Sequence, residues 1–153
     1  VIAHSLIKNV LFMSAGAMIM HGHVYKTNEL DGIGTKMPKT LGCFTIASLG
    51  LIGIPPLLGF VSKWYLASGS LSSLDNALSW IGPMILLASA LLTAGYLFSI
   101  TISAFFVKKE NHAKEAGMFM IIPMAVCCVL IFVCGLFPQQ LMDIITTIIQ
   151  GLF

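Results

Sequence analysis

Charged residues are scarce in this sequence. Only 9% of its 153 residues are charged, whereas soluble domains average roughly 25%. Arginine is missing altogether, so lysine supplies all eight basic side chains. In contrast, 58% of the residues are hydrophobic, which is more apolar side chain than a soluble domain of this length can bury. The composition excludes a soluble enzyme, a disordered tail and a disulfide-bonded scaffold, and it predicts an all-α polytopic membrane protein.

Sequence patterns for cofactors, metals and nucleic acids are also missing. The four cysteines lie inside apolar runs without C-x-x-C spacing or a nearby histidine, which favours buried apolar residues over a metal site. The sequence has no nucleotide-binding loop, no haem or iron–sulfur pattern and no catalytic triad. A net charge of +2 is too small to indicate nucleic acid. We therefore expect no cofactor, metal ion, catalytic residue or nucleic-acid partner for this chain.

Four stretches with no more than one charged residue each are long enough to cross the roughly 30 Å of hydrocarbon in a bilayer. They cover residues 1–22, 40–66, 78–107 and 116–137. Residues 139–153 are amphipathic but short for a span, so they predict a helix at the membrane interface, with a fifth span as the alternative. We expect a single transmembrane domain over residues 1–153. Because the first span begins at Val1, we expect the C-terminal part of a larger or split subunit.

Lysine is distributed unequally between the loops. Six lysines lie in residues 23–39 and 108–115, and none lies in residues 67–77 or after the fourth span. Cytoplasmic loops carry the excess of lysine, so both lysine-rich loops are predicted to face the cytoplasm and both chain ends the outside. Trp64, Tyr65 and Trp80 flank the lysine-free loop, as aromatic residues do at a membrane interface. We expect an integral protein of a prokaryotic cell membrane.

One lysine of the first span lies at membrane depth. Lys8 follows His4 by four residues, so the two share one face of a helix. A charge at this depth must find a partner, lose its proton or meet water. Two neighbouring groups that exchange protons near neutral pH predict a proton relay. The alternative is that Lys8 extends to the interface while His4 is an ordinary buried polar residue.

The second span contains residues that interrupt a helix. Pro55 and Pro56 have no amide hydrogen, and Gly53 and Gly59 loosen the backbone beside them. In hydrocarbon, an interrupted backbone is tolerated only where it faces protein or water, and broken helices form ion sites in transporters. Lys63 follows the interruption on the second half of the span. The alternative is a simple proline kink, with Lys63 reaching out to the interface.

Three motifs follow one another in the first 66 residues. Residues 4–16 (HSLIKNVLFMSAG) fit the pattern H-x-x-x-K-x-x-L-F-x-x-x-G, residues 34–40 (GTKMPKT) form a short loop, and residues 53–64 (GIPPLLGFVSKW) carry the interruption. In this order they resemble the antiporter-like proton-pumping membrane subunits of respiratory complex I, Mrp-type cation/proton antiporters and membrane-bound hydrogenases. The rest of the chain is similar to that family only in hydropathy.

The resemblance implies roles for individual residues. Lys8, with His4, matches the family's central proton-carrying position, and Lys63 matches the lysine from which the proton leaves. Family members contain two inverted repeats, and this chain holds only the end of the second. The implied partners are the lipid bilayer and other membrane subunits, including the missing N-terminal helices. At most, the chain is the proton-pumping part of a redox-driven translocase and has no redox site of its own.

Two other functions are open on the residues alone. A secondary transporter of a small solute or ion also uses broken helices, although it would need a second one and the sequence shows only one. A structural membrane subunit would fill space in a larger complex. It would gain nothing from Lys8 and Lys63 at membrane depth.

Overall fold

The computed structural model describes residues 1–73, 77–107 and 113–152, and every regular element in these ranges is helical. The predicted all-α class is confirmed. Lys108, Lys109 and Phe153, which belong to the predicted loop and tail, lie outside the described residues. The helices are α1 (Ile2–Gly22), α2 (Pro38–Ile52), α3 (Leu58–Ser73), α4 (Ile81–Phe106), α5 (Met118–Leu136) and α6 (Pro138–Leu152).

Three of these helices, α1, α4 and α5, are long and apolar enough to cross a membrane. They fall within the predicted spans 1–22, 78–107 and 116–137. The remaining predicted span, 40–66, is divided between α2 and α3, which have 15 and 16 residues. The structure therefore supports an integral membrane protein.

Proline and glycine set several of the helix boundaries. Pro38 begins α2 at its first position, where the missing amide hydrogen is of no consequence. The same helix ends at Gly53, whose φ of 91° lies in the left-handed region. A second proline, Pro138, opens α6 directly after α5. The presence of α6 confirms the prediction that the tail of the chain is helical. The position of this helix at the membrane interface stays a prediction.

α2 lies at the centre of the bundle, in contact with α1, α3, α4 and α5. Two apolar clusters pack around it, one near each end. The connection between α1 and α2 takes part in the first cluster, because Ile33 and Met37 are fully buried. The amide of Gly32 also donates to the carbonyl of Ser103 on α4, at 3.2 Å. The lysine-bearing connection is thus folded back against the helices.

The second cluster lies beside the segment that joins α2 to α3, and it includes Ile7, Ala47, Leu58 and Ile131. Two glycines permit the close packing here. A Cβ atom on Gly59 would overlap the carbonyl oxygen of Gly50, so α3 crosses α2 with backbones in contact. A Cβ atom on Gly135 of α5 would overlap the carbonyl oxygen of Pro56. Helix α5 therefore packs directly against the joining segment.

Gly59→Ala should destabilise the protein, because the new methyl group must push α3 away from the carbonyl of Gly50. Forcing an extra methyl into a packed site lowers the free energy of unfolding by about 1–3 kcal/mol. Thermal unfolding of the detergent-solubilised protein would measure the loss. Gly69→Ala is the matched control on the same helix, since its Cβ atom meets nothing within 4 Å. Equal melting temperatures for the two variants would contradict the proposed contact.

Candidate functional site

The five residues between α2 and α3, Gly53 to Leu57, leave the end of α2 with few amide partners. The amides of Gly53 and Ile54 both donate to the carbonyl of Leu49, at 3.1 and 3.2 Å. Pro55 and Pro56 follow and have no amide hydrogen to offer. The last carbonyls of α2 must therefore be satisfied by other groups.

Lys63 supplies one of these groups from α3. Its Nζ atom donates to the carbonyl oxygen of Ile52, the last residue of α2, at 2.7 Å. The aliphatic part of the side chain lies over Gly53, where a Cβ atom would come within 3.0 Å of the Lys63 Cδ atom. A cation at this position also complements the negative end of the α2 dipole. Lys63 is half-buried and caps α2 rather than extending freely away from the bundle.

Lys63 and His4 line the same small cavity. The cavity measures about 70 Å³ and opens between α1, α2 and α3. Its volume exceeds the roughly 10–15 Å³ that one water molecule needs. The lining residues are Ala3, His4, Ile7, Gly50, Leu51, Gly59, Ser62 and Lys63. Three polar side chains from two helices therefore face one space that is large enough for water.

Lys8 lies on α1 one turn after His4, as the spacing predicts. It is half-buried, and it is not among the residues that line the cavity. It makes no hydrogen bond or ion pair with any residue that the structure describes. The cavity thus brings together His4, which is exposed, and Lys63, a combination that the spacing in the sequence does not predict. The proton-carrying roles of all three residues stay predictions.

Sequence reasoning missed one charged residue, Glu115, in the connection before α5. Its carboxylate accepts hydrogen bonds from the amides of Lys39 (3.0 Å) and Thr40 (3.3 Å), from Thr40 Oγ1 (2.7 Å) and from the amide of Ala116 (3.3 Å). Partial burial acts to raise the pKa of Glu115, but the hydrogen bonds from Thr40, Lys39 and Ala116 outweigh it and lower the pKa. Its partner Thr40 lies 75 residues earlier, so no local pattern could reveal the contact.

Metal-ligating side chains do not gather anywhere in the described ranges of the chain, where no three His, Cys, Asp or Glu residues cluster. The cysteines are free thiols on α2 and α5. Polar side chains gather at two places on α2. Glu115 binds the first turn of the helix, and Lys63 binds the last turn beside the small cavity.

Comparison with known proteins identifies the family. The family described as "NADH:quinone oxidoreductase/Mrp antiporter, TM" matches residues 1–82, which include His4, Lys8 and Lys63. This chain belongs to that family. The resemblance carried by the three sequence motifs is confirmed.

Relatives of the antiporter-like family match most of the chain. NADH-quinone oxidoreductase subunit N of Desulforudis audaxviator is 35% identical, over 98% of this chain and 32% of its own length. Hydrogenase-4 component B of Escherichia coli is 34% identical, over 84% of this chain and 21% of its own length. This chain thus spans about a third or less of these relatives.

The fold is found again in a solved structure, that of the Mrp complex from Dietzia sp. DQ12-45-1b. The TM-score is 0.78 at 18% identity, and the match covers 91% of this chain and 34% of that chain. At this identity the likeness is one of fold. It shows that this arrangement of helices is also found in a chain of that complex.

Lys63→Met should loosen the end of α2, because the carbonyl of Ile52 loses its donor. Hydrogen exchange should then rise at the amides of Gly53 and Ile54, by about tenfold for the loss of one charge-assisted hydrogen bond. Lys8→Met is the matched control, since Lys8 bonds to no described residue. Exchange measured by mass spectrometry on the assembled complex would distinguish the two. An equal response of both variants would contradict the cap.

Proposed function

We propose that this chain is the C-terminal part of a proton-translocating membrane subunit in a complex I-like or Mrp-type complex. The observation that carries the proposal is the cavity that His4 and Lys63 share at the junction of α2 and α3. Membership of the antiporter-like family supports it. The driving force in the whole complex would be redox chemistry in other subunits or an ion gradient.

α2 and α3 act in this proposal as the two halves of one discontinuous span. At 1.5 Å per residue, the 15 residues of α2 extend about 22 Å, too short alone for the roughly 30 Å of hydrocarbon. The joining segment fits such a setting, because irregular backbone in a membrane needs protein or water around it. Lys63 caps one side of the segment, and Gly135 of α5 packs against the other.

The spans would then number four, with both chain ends outside and the connection between α1 and α2 in the cytoplasm. The lysines of that connection support this orientation, since Lys26, Lys36 and Lys39 are all exposed. Trp64 and Trp80, with 62% and 63% of their surface exposed, flank the opposite end as interfacial aromatics would. The expected membrane is that of a prokaryotic cell, as for the bacterial relatives.

The proton path would run through α1 and then across the cavity. Lys8 lies four residues from His4, about 6 Å along the axis of α1. His4 and Lys63 face the same cavity, where water could complete the connection between the two side chains. Lysine and histidine side chains are able to exchange a proton, whereas the guanidinium of arginine keeps its proton in proteins.

The partners would be lipid and the other membrane subunits, including the N-terminal helices of the same subunit. Helix α4 leaves much of its surface free for them. Only Leu97 and Ala104 of this helix are buried, while apolar side chains such as Met84, Leu91 and Leu92 are exposed. A surface of this kind needs lipid or further helices around it.

Lys8→Arg and Lys63→Arg should each strongly reduce proton transport by the assembled complex. Both variants keep a positive charge, and arginine at position 63 can still donate to the carbonyl of Ile52, but neither releases a proton. The expected loss is about a hundredfold, the lower end of what a positioned proton-transfer group contributes. Proton uptake into vesicles that contain the whole complex would measure it.

Lys26→Arg is the control for this experiment, because Lys26 is exposed in the connection between α1 and α2. It should transport protons at the normal rate. Normal transport by both Lys8→Arg and Lys63→Arg would show that a fixed positive charge is sufficient, as in a structural subunit. That result would contradict the proposed function.

The orientation has its own test. Lys36→Cys should react only from the cytoplasmic side and Ser72→Cys only from the outside, since the two exposed residues lie at opposite ends of the predicted topology. An impermeant maleimide would be applied to intact cells and to inverted vesicles, in a variant whose native cysteines are replaced by alanine. Reaction of Lys36→Cys in intact cells would reverse the proposed sidedness.

A further inference from the structure

Helix α2 is held at its two ends by side chains of opposite charge, and both come from later parts of the chain. Glu115 binds its N-terminus from the connection before α5, and Lys63 binds its C-terminus from α3. These are the charges that the helix dipole favours, an anion at the positive end and a cation at the negative end. The side chain of Met37, the N-cap residue of α2, does not cap the helix.

Every backbone amide in the first turn of α2 has a hydrogen-bond acceptor. Pro38 has no amide hydrogen, and the amides of Lys39 and Thr40 donate to the two oxygens of Glu115. The amide of Leu41 donates to the carbonyl of Met37, at 3.0 Å. All the amides of the first turn are thus satisfied, and Glu115 accounts for two of them. The Thr40 hydroxyl adds a third bond to the same carboxylate, at 2.7 Å.

The same carboxylate also ties α2 to α5. Glu115 lies three residues before Met118, where α5 begins, and Gly135 near the end of α5 packs against Pro56 in the joining segment. The amide of its neighbour Lys114 donates to the carbonyl of His21 near the end of α1, at 3.2 Å. α2 and α5 are therefore fastened to each other beside both ends of α2. A shift of α2 along its axis would break contacts at the two ends together.

We propose that Glu115 is a positioning residue for Lys63 and that it acts through α2. The carboxylate fixes the axial position of α2, and this position sets the carbonyl of Ile52 against the Lys63 ammonium and shapes the cavity shared with His4. The inference rests on the proposed function for its effect on transport. Its effect on the joining segment follows from the contacts at the two ends of α2.

Glu115→Gln tests the link in the assembled complex, because it removes the charge while keeping the shape of the side chain. Hydrogen exchange should rise by about tenfold at the amides of Lys39 and Thr40, the scale of a lost charge-assisted hydrogen bond. It should also rise at Gly53 and Ile54, the amides next to the Lys63 contact. Proton transport in vesicles should fall. Glu115→Asp, which keeps the charge on a shorter side chain, should recover part of both effects.

Glu29→Gln is the matched control. Its carboxylate also accepts two backbone amides on the same end of the bundle, those of Tyr25 (2.9 Å) and Lys26 (3.1 Å), but these donors lie within four residues of it. This variant should leave exchange at Gly53 and Ile54 and the rate of transport unchanged. Should Glu115→Gln fail to assemble, Thr40→Val would remove the 2.7 Å bond from the other partner and leave Glu115 intact.

The outcomes separate the inference from the proposed function. Faster exchange at Lys39 and Thr40 alone, with Gly53 and Ile54 as in the unaltered protein, would overturn the positioning role whatever happens to transport. Faster exchange at both ends with reduced transport would support it. If Lys63→Arg and Glu115→Gln both transport normally while exchange rises at both ends, the link through α2 stands and the proton-transfer role of Lys63 fails.

Discussion

The bond between the Lys63 ammonium and the carbonyl of Ile52 is the interaction on which the rest of this site depends. A helix that ends among apolar side chains leaves carbonyl oxygens without partners, and lipid tails offer no hydrogen-bond donors to replace them. Here a side chain from the next helix supplies the donor, at 2.7 Å. The left-handed Gly53 gives the lysine room to reach it, and Gly59 brings α3 close enough to α2 for the bond to form.

The bond between Lys63 and Ile52 stabilises the end of α2, and it also holds in place the lysine that carries a proton in the proposed function. A lysine at membrane depth is costly unless it is paired, and an unpaired helix end is costly unless it is capped. Each group lowers the cost of the other, which allows a charge to remain beside the cavity that His4 also lines. In the proposed function the same ammonium carries a proton. Loss of that proton would weaken the donor to α2, so protonation and backbone geometry would be linked at this residue.

Part of this structure follows from the sequence, and part depends on contacts between distant residues. The lengths of the apolar runs predict α1, α4 and α5, since only a membrane accommodates such stretches. Pro55 and Pro56 mark the segment between α2 and α3, because neither can donate an amide hydrogen. The burial of Ile33 and Met37 was not predictable from a connection that its lysines mark as a loop. It arises because the connection folds back beneath α4.

The candidate site, like the fold, could be predicted from the sequence only in part. Residue types and spacing single out His4, Lys8 and Lys63 as charges or polar groups at membrane depth. They do not reveal that His4 and Lys63 line one cavity, because this depends on how α3 crosses α1 and α2. Glu115 could not be predicted either. An acidic residue between a loop and an apolar helix is unremarkable until Thr40, 75 residues earlier, is placed beside it.

The central claim is that Lys63 faces a hydrated cavity shared with His4 at the interruption of one discontinuous membrane span. An electron cryomicroscopy structure of the whole complex in a lipid bilayer, at a resolution that shows ordered water, tests it most directly. The account predicts α2 and α3 within one crossing of the membrane, the Lys63 ammonium on the carbonyl of Ile52, and water between Lys63 and His4. A dry cavity, or a Lys63 side chain directed into lipid, would contradict it.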